Sequence, residues 1–227
     1  MQAARLAKLV PQPVLNNVLL SMPWLYRTRF VCYESYLSDC SSQIVGSIED
    51  TKNVEGDLIE CGSARCGTAV IMGNYLKANG IKKRVYACDS FGAGYDPDEL
   101  EEDRRRGLTR VDKAAYTYNS LAYVRKKIHR LELDDFVIPV PGFFKDTLPR
   151  LDGKFAFALI DCGLGASARY CLWTLWPKLS PHAEILVDDY QAGSFRGIKL
   201  SVDDFVARKE EEISTTAPLR LYTIKKK

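Results

Sequence analysis

Histidine is nearly absent from this 227-residue chain, which has only His129 and His182, and no two cysteines stand in CxxC spacing. A zinc site built on Cys and His is therefore not expected. His129 lies in a basic helical stretch and His182 in a turn, so both read as structural, and acid–base chemistry would fall to carboxylates. Charge of one sign is also scarce: 32 Lys and Arg are interspersed with 29 Asp and Glu, for a net charge of +3. No broad basic surface is left for a phosphate backbone, which argues against nucleic acid as a partner. The two basic runs, Arg104 to Arg106 and Lys225 to Lys227, read as solvated faces. Long apolar runs are missing as well. The most apolar N-terminal stretch, Val14 to Met22, is interrupted by Asn16 and Asn17 and stopped by Pro23, too short to span a bilayer. Stable membrane insertion and secretion are not expected, and no internal repeat or low-complexity linker appears.

What is present fits one α/β domain with modest additions. Hydrophobic residues make up 46% of the chain and charged residues 27%, enough for a large apolar core. The cysteines number 7, and Cys61, Cys88 and Cys162 end apolar runs, where cysteine behaves as a small buried hydrophobe in a reducing compartment. A cytoplasmic location is expected. Residues 1–55 read as a helical extension or lid, broken at Pro11, Pro13 and Pro23. Its aromatics Trp24, Tyr26, Phe30, Tyr33 and Tyr36 suit a lid, a subunit contact in a homo-oligomer or, most simply, packing onto the main domain. Residues 56–227 alternate short apolar runs with helical stretches, the signature of βαβ units. Five strands are expected at Asp57 to Cys61, Arg84 to Cys88, Phe136 to Val140, Phe155 to Ile160 and Glu184 to Val187. Helices are expected at Thr68 to Asn79, closed by Gly80, at Ser167 to Leu179, and near Lys199 to Lys209. The charged segment Asp96 to Arg106 reads as an exposed insertion, and Leu219 to Ile224 as an edge strand. The fold expected is a doubly wound, mostly parallel, Rossmann-like sheet with a helical N-terminal extension.

The first strand runs into Glu60-Cys61-Gly62-Ser63-Ala64-Arg65-Cys66-Gly67, an ExGxxxG turn that opens a helix. Glycines there let the backbone approach a ligand, and the helix start offers free amides to a carboxylate or phosphate. The spacing departs from GxGxxG, so it serves the amino-acid end of S-adenosylmethionine better than a dinucleotide. Asp89 closes the second strand, where a carboxylate accepts hydrogen bonds from both ribose hydroxyls, and Ser90 adds a hydroxyl. Cofactor contacts are thus expected from Glu60, Gly62, Ser63, Ala64, Gly67, Asp89 and Ser90. Asp161 ends the fourth strand, and Asp188 and Asp189 end the fifth. Carboxylates converging on one cleft repel unless a cation intervenes, and hard oxygen ligands favour Mg²⁺. Such an ion would bind substrate oxygens and lower the pKa of a hydroxyl, and Asp161 is the candidate base. Alternatively, Asp161 is a lone base and Asp188-Asp189 cap the following turn.

These residues resemble the macrocin O-methyltransferase (TylF-type) family of class I S-adenosylmethionine-dependent methyltransferases. The resemblance spans about residues 55–210 and rests on GDLIECGSARCG from Gly56, ACDSFGAG from Ala87, GFFKDTLP from Gly142, and LWPKLSP followed by ILVDDY up to Tyr190. It implies O-methylation of a sugar hydroxyl on a small molecule, with cofactor on the first glycine turn and Asp89 and a metal on Asp161, Asp188 and Asp189. Phe143, in the GFFKDTLP element, joins the expected cofactor contacts. One departure stands out: where that family reads DxDxYES after strand four, this chain reads Asp161-Cys162-Gly163-Leu164-Gly165-Ala166-Ser167. The first aspartate and the serine remain; the second aspartate, the tyrosine and the glutamate do not. That weakens a metal site and opens space for a different or larger acceptor. A metal-independent methyltransferase, a non-catalytic binding protein of the same fold and an NAD-dependent dehydrogenase are the competing readings, the last disfavoured by the glycine spacing.

Overall fold

The computed structural model describes residues 35, 37–112, 115–117, 119–193, 195–216 and 220–227. The prolines and aromatics singled out in the N-terminal stretch, and Cys32, lie outside them. Five parallel strands form the main part of one sheet: β1 (Asp57–Cys61), β2 (Val85–Asp89), β3 (Val137–Pro141), β4 (Phe155–Ile160) and β5 (Leu179–Val187). Two further strands, β6 (Ile213–Thr216) and β7 (Tyr222–Lys226), complete the order β3-β2-β1-β4-β5-β7-β6, with β7 antiparallel to both β5 and β6. The strand order reverses between β1 and β4, so chain leaving these two strands departs to opposite faces and opens a crevice at their carboxyl ends.

Side chains alternate across the sheet and both faces are covered, which explains why the central strands read as unbroken apolar runs. Every residue of β4, FAFALI, is buried. On one face Leu58, Phe157 and Leu159 pack with Ile44 and Ile48 of α1 (Ser41–Thr51), Met72 and Leu76 of α2 (Gly67–Ala78), and Val124 and Ile128 of α4 (Leu121–Arg130). On the other, Ile59, Ala158 and Ile160 meet Leu172 and Leu175 of α6 (Gly165–Leu175) and Ile198, Val202 and Phe205 of α7 (Arg196–Lys209). Each of these Leu, Ile, Val, Met and Phe side chains contributes roughly 1.5–3 kcal/mol on burial. Helix α2 ends as its sequence requires: Gly80 takes φ +64°, and the amide of Ile81 reaches back to the carbonyl of Leu76 at 3.0 Å. Among the described residues no helix is long and apolar enough to cross a membrane.

Three expectations need correction. Asp96 to Arg106 is no exposed insertion but carries α3 (Pro97–Arg105), started by Asp96, whose carboxylate accepts from the amides of Asp98 and Glu99, and by Pro97 in its first turn. Its inner side buries Leu100 and Asp103, and the Asp103 carboxylate accepts from the amides of Gly165 at 2.6 Å and Ala166 at 3.2 Å, tying α3 to the start of α6. A helix with a single leucine offered too little apolar periodicity to be recognised. His182 lies within β5, which begins at Leu179, rather than in a turn. The stretch near the C-terminus is not the edge strand: β7 sits between β5 and β6, and the edge falls to Ile213–Thr216, three of whose four residues are exposed.

Helices α6 and α7 touch through glycine. A Cβ on Gly165 would lie 2.5 Å from the backbone of Gly197. Gly165→Ala is expected to destabilise the chain by about 1–3 kcal/mol, seen as a lower urea midpoint at unchanged slope. A midpoint equal to the parent's would show that the two helices do not approach this closely.

Candidate active site

The bend after β1 is shaped by contact with the end of β4. Gly62 has φ +96°, and a Cβ there would lie 1.9 Å from the carbonyl oxygen of Asp161, so only glycine lets the chain pass. Ala64 and Cys66 follow at φ 46° and 56°, left-handed positions that turn the chain into α2. The Asp89 carboxylate, at the end of β2, accepts from the amide of Ala64 at 2.9 Å and that of Phe91 at 2.7 Å, binding the bend to its neighbouring strand. Burial still holds the Asp89 carboxyl above the usual carboxylate range, against those two amides.

A cavity of about 240 Å³ opens over this bend. Of the residues picked from sequence, Gly62, Ala64, Asp89, Ser90, Phe143, Asp161, Asp188 and Asp189 line it; Glu60, Ser63 and Gly67 do not. Ser63 is buried with its hydroxyl on the Glu60 carbonyl, and Gly67 is the buried first residue of α2. Glu60 is 1% exposed, and its Oε2 has no hydrogen-bond partner. Burial pushes its carboxyl up to about 8, only partly offset by the nearby Ser63 hydroxyl and Ala69 amide. Ser90 donates to the carbonyl of Gly94 at 2.7 Å.

Strand pairing runs one residue past the ends of β4 and β5: Asp161 donates its amide to the Cys61 carbonyl and Asp188 its amide to the Ile160 carbonyl, each at 2.9 Å. The acids are thereby brought into line. Asp161, Asp188 and Asp189 can each place an oxygen within 4.8 Å of the others. Burial pushes Asp161 well above the usual carboxylate range, reinforced by repulsion from Asp188 and Asp189, and pushes Asp189 up to about 6 with Asp188 as the second cause. Asp188 is raised by burial too, although Arg220 stands 3.6 Å away. An all-oxygen donor set whose members resist ionising together fits a hard divalent cation.

Sequence reasoning missed the opposite wall: Tyr95, Glu99, Tyr116, Phe144, Ser167 and Phe195, with Arg220 beside the acids. The Asp96-Pro97-Asp98-Glu99 run did carry a helix-start signal that would have located α3. Nothing local shows that Glu99 turns inward to accept a hydrogen bond from Ser167.

A seven-stranded sheet of this order, with its cavity at the switch between β1 and β4, is the class I methyltransferase fold. The chain belongs to the macrocin-O-methyltransferase (TylF) family, whose model matches residues 36–220. It is similar to 8-demethyl-8-(2,3-dimethoxy-alpha-L-rhamnosyl)-tetracenomycin-C 4'-O-methyltransferase of Streptomyces olivaceus, 34% identical over 63% of this chain and 56% of that protein. It is 33% identical to demethyldecarbamoylnovobiocin O-methyltransferase of Streptomyces niveus, over 68% of this chain and 58% of that one. The chain thus spans less than two thirds of the length of these two relatives. Among solved structures, that of the O-methyltransferase NovP aligns with 82% of this chain and 78% of its own, at a TM-score of 0.71 and 29% identity.

Glu60 gives a stability test. Its folded pKa of about 8 lies above the ordinary 4.5, so the folded chain holds a proton that the unfolded chain has released between those values. Stability from this group is complete below about pH 4.5 and is lost as pH rises through about 8. Glu60→Gln, a neutral isostere, is expected to flatten the decline and to exceed the parent in stability at pH 8 by more than about 1 kcal/mol. Urea unfolding at pH 5.5 and 8 checks this, and identical slopes in both proteins would refute it.

Proposed function

We propose that the chain is an S-adenosylmethionine-dependent O-methyltransferase acting on a hydroxyl of a sugar or glycoside-like small molecule, with Mg²⁺ at Asp161, Asp188 and Asp189. The observation that carries this reading is one cavity joining the Gly62 bend and Asp89 to those three carboxylates, in a chain of this family. Bound S-adenosylmethionine supplies a methyl group on a sulfonium, already a good leaving group, so alignment and a base are what the protein must add. The Gly62–Ala64 backbone offers close approach to the amino-acid end of the cofactor, over the Glu60, Ser63 and Gly67 support. The lone pairs left on Asp89 accept from ribose hydroxyls, and Ser90 and Phe143 wall the adenosine side. Asp161, Asp188 and Asp189 would hold a divalent ion, which would supply positive charge that lowers the pKa of an acceptor hydroxyl. Asp161 receives that hydroxyl's proton on a carboxylate oxygen. The buried thiols of Cys40, Cys61, Cys88, Cys162 and Cys171 suit a reducing, cytoplasmic setting.

A metal-independent transfer is the second reading, favoured by Arg220, which already stands 3.6 Å from Asp188. Chelation separates the two. Activity is expected to disappear in EDTA and return with Mg²⁺; activity that survives EDTA and does not rise with Mg²⁺ establishes the second reading. Cofactor binding is tested by calorimetry on Asp89→Ala, which is expected to lose tenfold or more in affinity for S-adenosylhomocysteine, about the worth of one hydrogen bond to a charged group. Undiminished affinity in that variant, or a parent that prefers NAD, would remove the methyl-donor assignment.

A further inference from the structure

Six carboxylates line the cavity, Asp89, Asp96, Glu99, Asp161, Asp188 and Asp189, against Arg220 as the one basic lining residue among those described. Lys145, on the short helix α5 (Phe144–Thr147), lies outside the lining and is held by Asp96 at 2.7 Å and Asp98 at 3.5 Å. Among the described residues, compensation of the three strand-end aspartates therefore falls to Arg220, whose position and partners decide how firmly it does so.

The backbone beyond Arg220 is pinned. Leu221 is buried, and its carbonyl accepts from Gln43 Nε2 of α1 at 2.9 Å. Tyr222 then pairs with Val187, the residue before Asp188. The long side chain is left as the part that can move. Its guanidinium meets two carboxylates of unlike character. Nη1 donates to both oxygens of Asp39, at 2.7 and 2.6 Å, in the turn Ser38–Cys40 ahead of α1. Nε stands 3.6 Å from Asp188 Oδ1, too far for a hydrogen bond of normal strength. The Asp39 side chain is 66% exposed and that of Asp188 only 7%. The close contact is thus with the acid in water, and the loose one with the acid in the cavity. Charge attraction without a short hydrogen bond yields to a cation that comes closer or carries more charge.

Resting on the reading that a divalent ion binds Asp161, Asp188 and Asp189, we propose that Arg220 is an exchangeable counter-ion of this cluster, competing with the metal for Asp188 and drawn off by Asp39 as the metal binds. Arg220 is then a positioning residue and not a ligand. Two cations at one carboxylate repel, so entry of the ion favours the Asp39 contact. Asp39 in turn gives the displaced guanidinium a partner. Affinity for the ion is thereby set in part by a residue outside the cavity lining.

The probe is Mn²⁺ alone, titrated into the full chain and followed by calorimetry and by the electron paramagnetic resonance of the free ion. Arg220→Gln is expected to bind Mn²⁺ about tenfold or more tightly than the parent. Even at the dielectric of water, a single and a double charge within about 6 Å repel by enough for that change. Arg220→Lys, which keeps the charge, is expected to bring the affinity back toward the parent's. Asp39→Asn leaves the guanidinium to Asp188 and is expected to weaken Mn²⁺ binding by about threefold, the scale of one exposed ion pair. If Arg220 merely props Asp188 in place, Arg220→Gln binds Mn²⁺ more weakly, the opposite sign. That result, or parental affinity in either Arg220→Gln or Asp39→Asn, would overturn the exchange. Circular dichroism reports whether each variant is folded; should Arg220→Gln not be, Asp39→Asn decides alone, since it alters an exposed side chain. The metal reading fails separately. A parent that binds no Mn²⁺, or whose binding survives Asp161→Asn undiminished, would overturn the ion at the three aspartates and the exchange with it.

Discussion

The carboxyl end of β1 lies against that of β4 with no room for a side chain between them: at Gly62 even a methyl group would meet the Asp161 carbonyl at 1.9 Å. Most of the site depends on this approach. It lets the bend turn into α2 and lets the Cys61 carbonyl take the Asp161 amide, which extends the sheet by one pairing. Asp161 is thereby fixed beside Asp188, which is paired in turn to the Ile160 carbonyl. Asp89 grips the other side of the bend through the amide of Ala64. A parallel sheet whose pairing is regular at the carboxyl ends of β1, β4 and β5 thus becomes a row of acids along one edge, without any acid needing a dedicated scaffold.

Such a row is electrostatically unfavourable. Asp161, Asp188, Asp189, Asp89 and Glu60 are all pushed toward the neutral form by burial, and the first of these by its neighbours as well. Folding tolerates this because the two apolar layers on either face of the sheet are extensive, and because Arg220 supplies a local counter-charge. Groups whose charged forms are disfavoured without a ligand are where a cation and a proton-releasing substrate gain the most on binding.

Much of the frame was legible from residue pattern alone. β1 and β4 fall where their apolar runs place them, β2 and β3 are displaced by one residue, and the Gly80 helix stop holds. These features are local: period-two burial, continuous apolar runs and left-handed glycines leave their mark within a few residues. The β5 start was missed because Pro181 and His182 are exposed and interrupt the apolar signal. Helix α3 was missed because its stability comes from outside itself, through Leu100 in the core and Asp103 on the amides of α6.

Taken by itself, the order of residues determined the doubly wound sheet, the glycine bend and the strand-end placement of Asp89, Asp161, Asp188 and Asp189, since each follows from short-range periodicity and from where strands must stop. Only the tertiary structure decided that Tyr95 covers Gly163, that Glu99 reaches Ser167 across 68 positions of chain, and that Arg220 stands beside Asp188. Those contacts arise from how α3, and Arg220 just ahead of β7, pack back onto the sheet. Packing of elements far apart in the chain leaves no periodic trace in either segment.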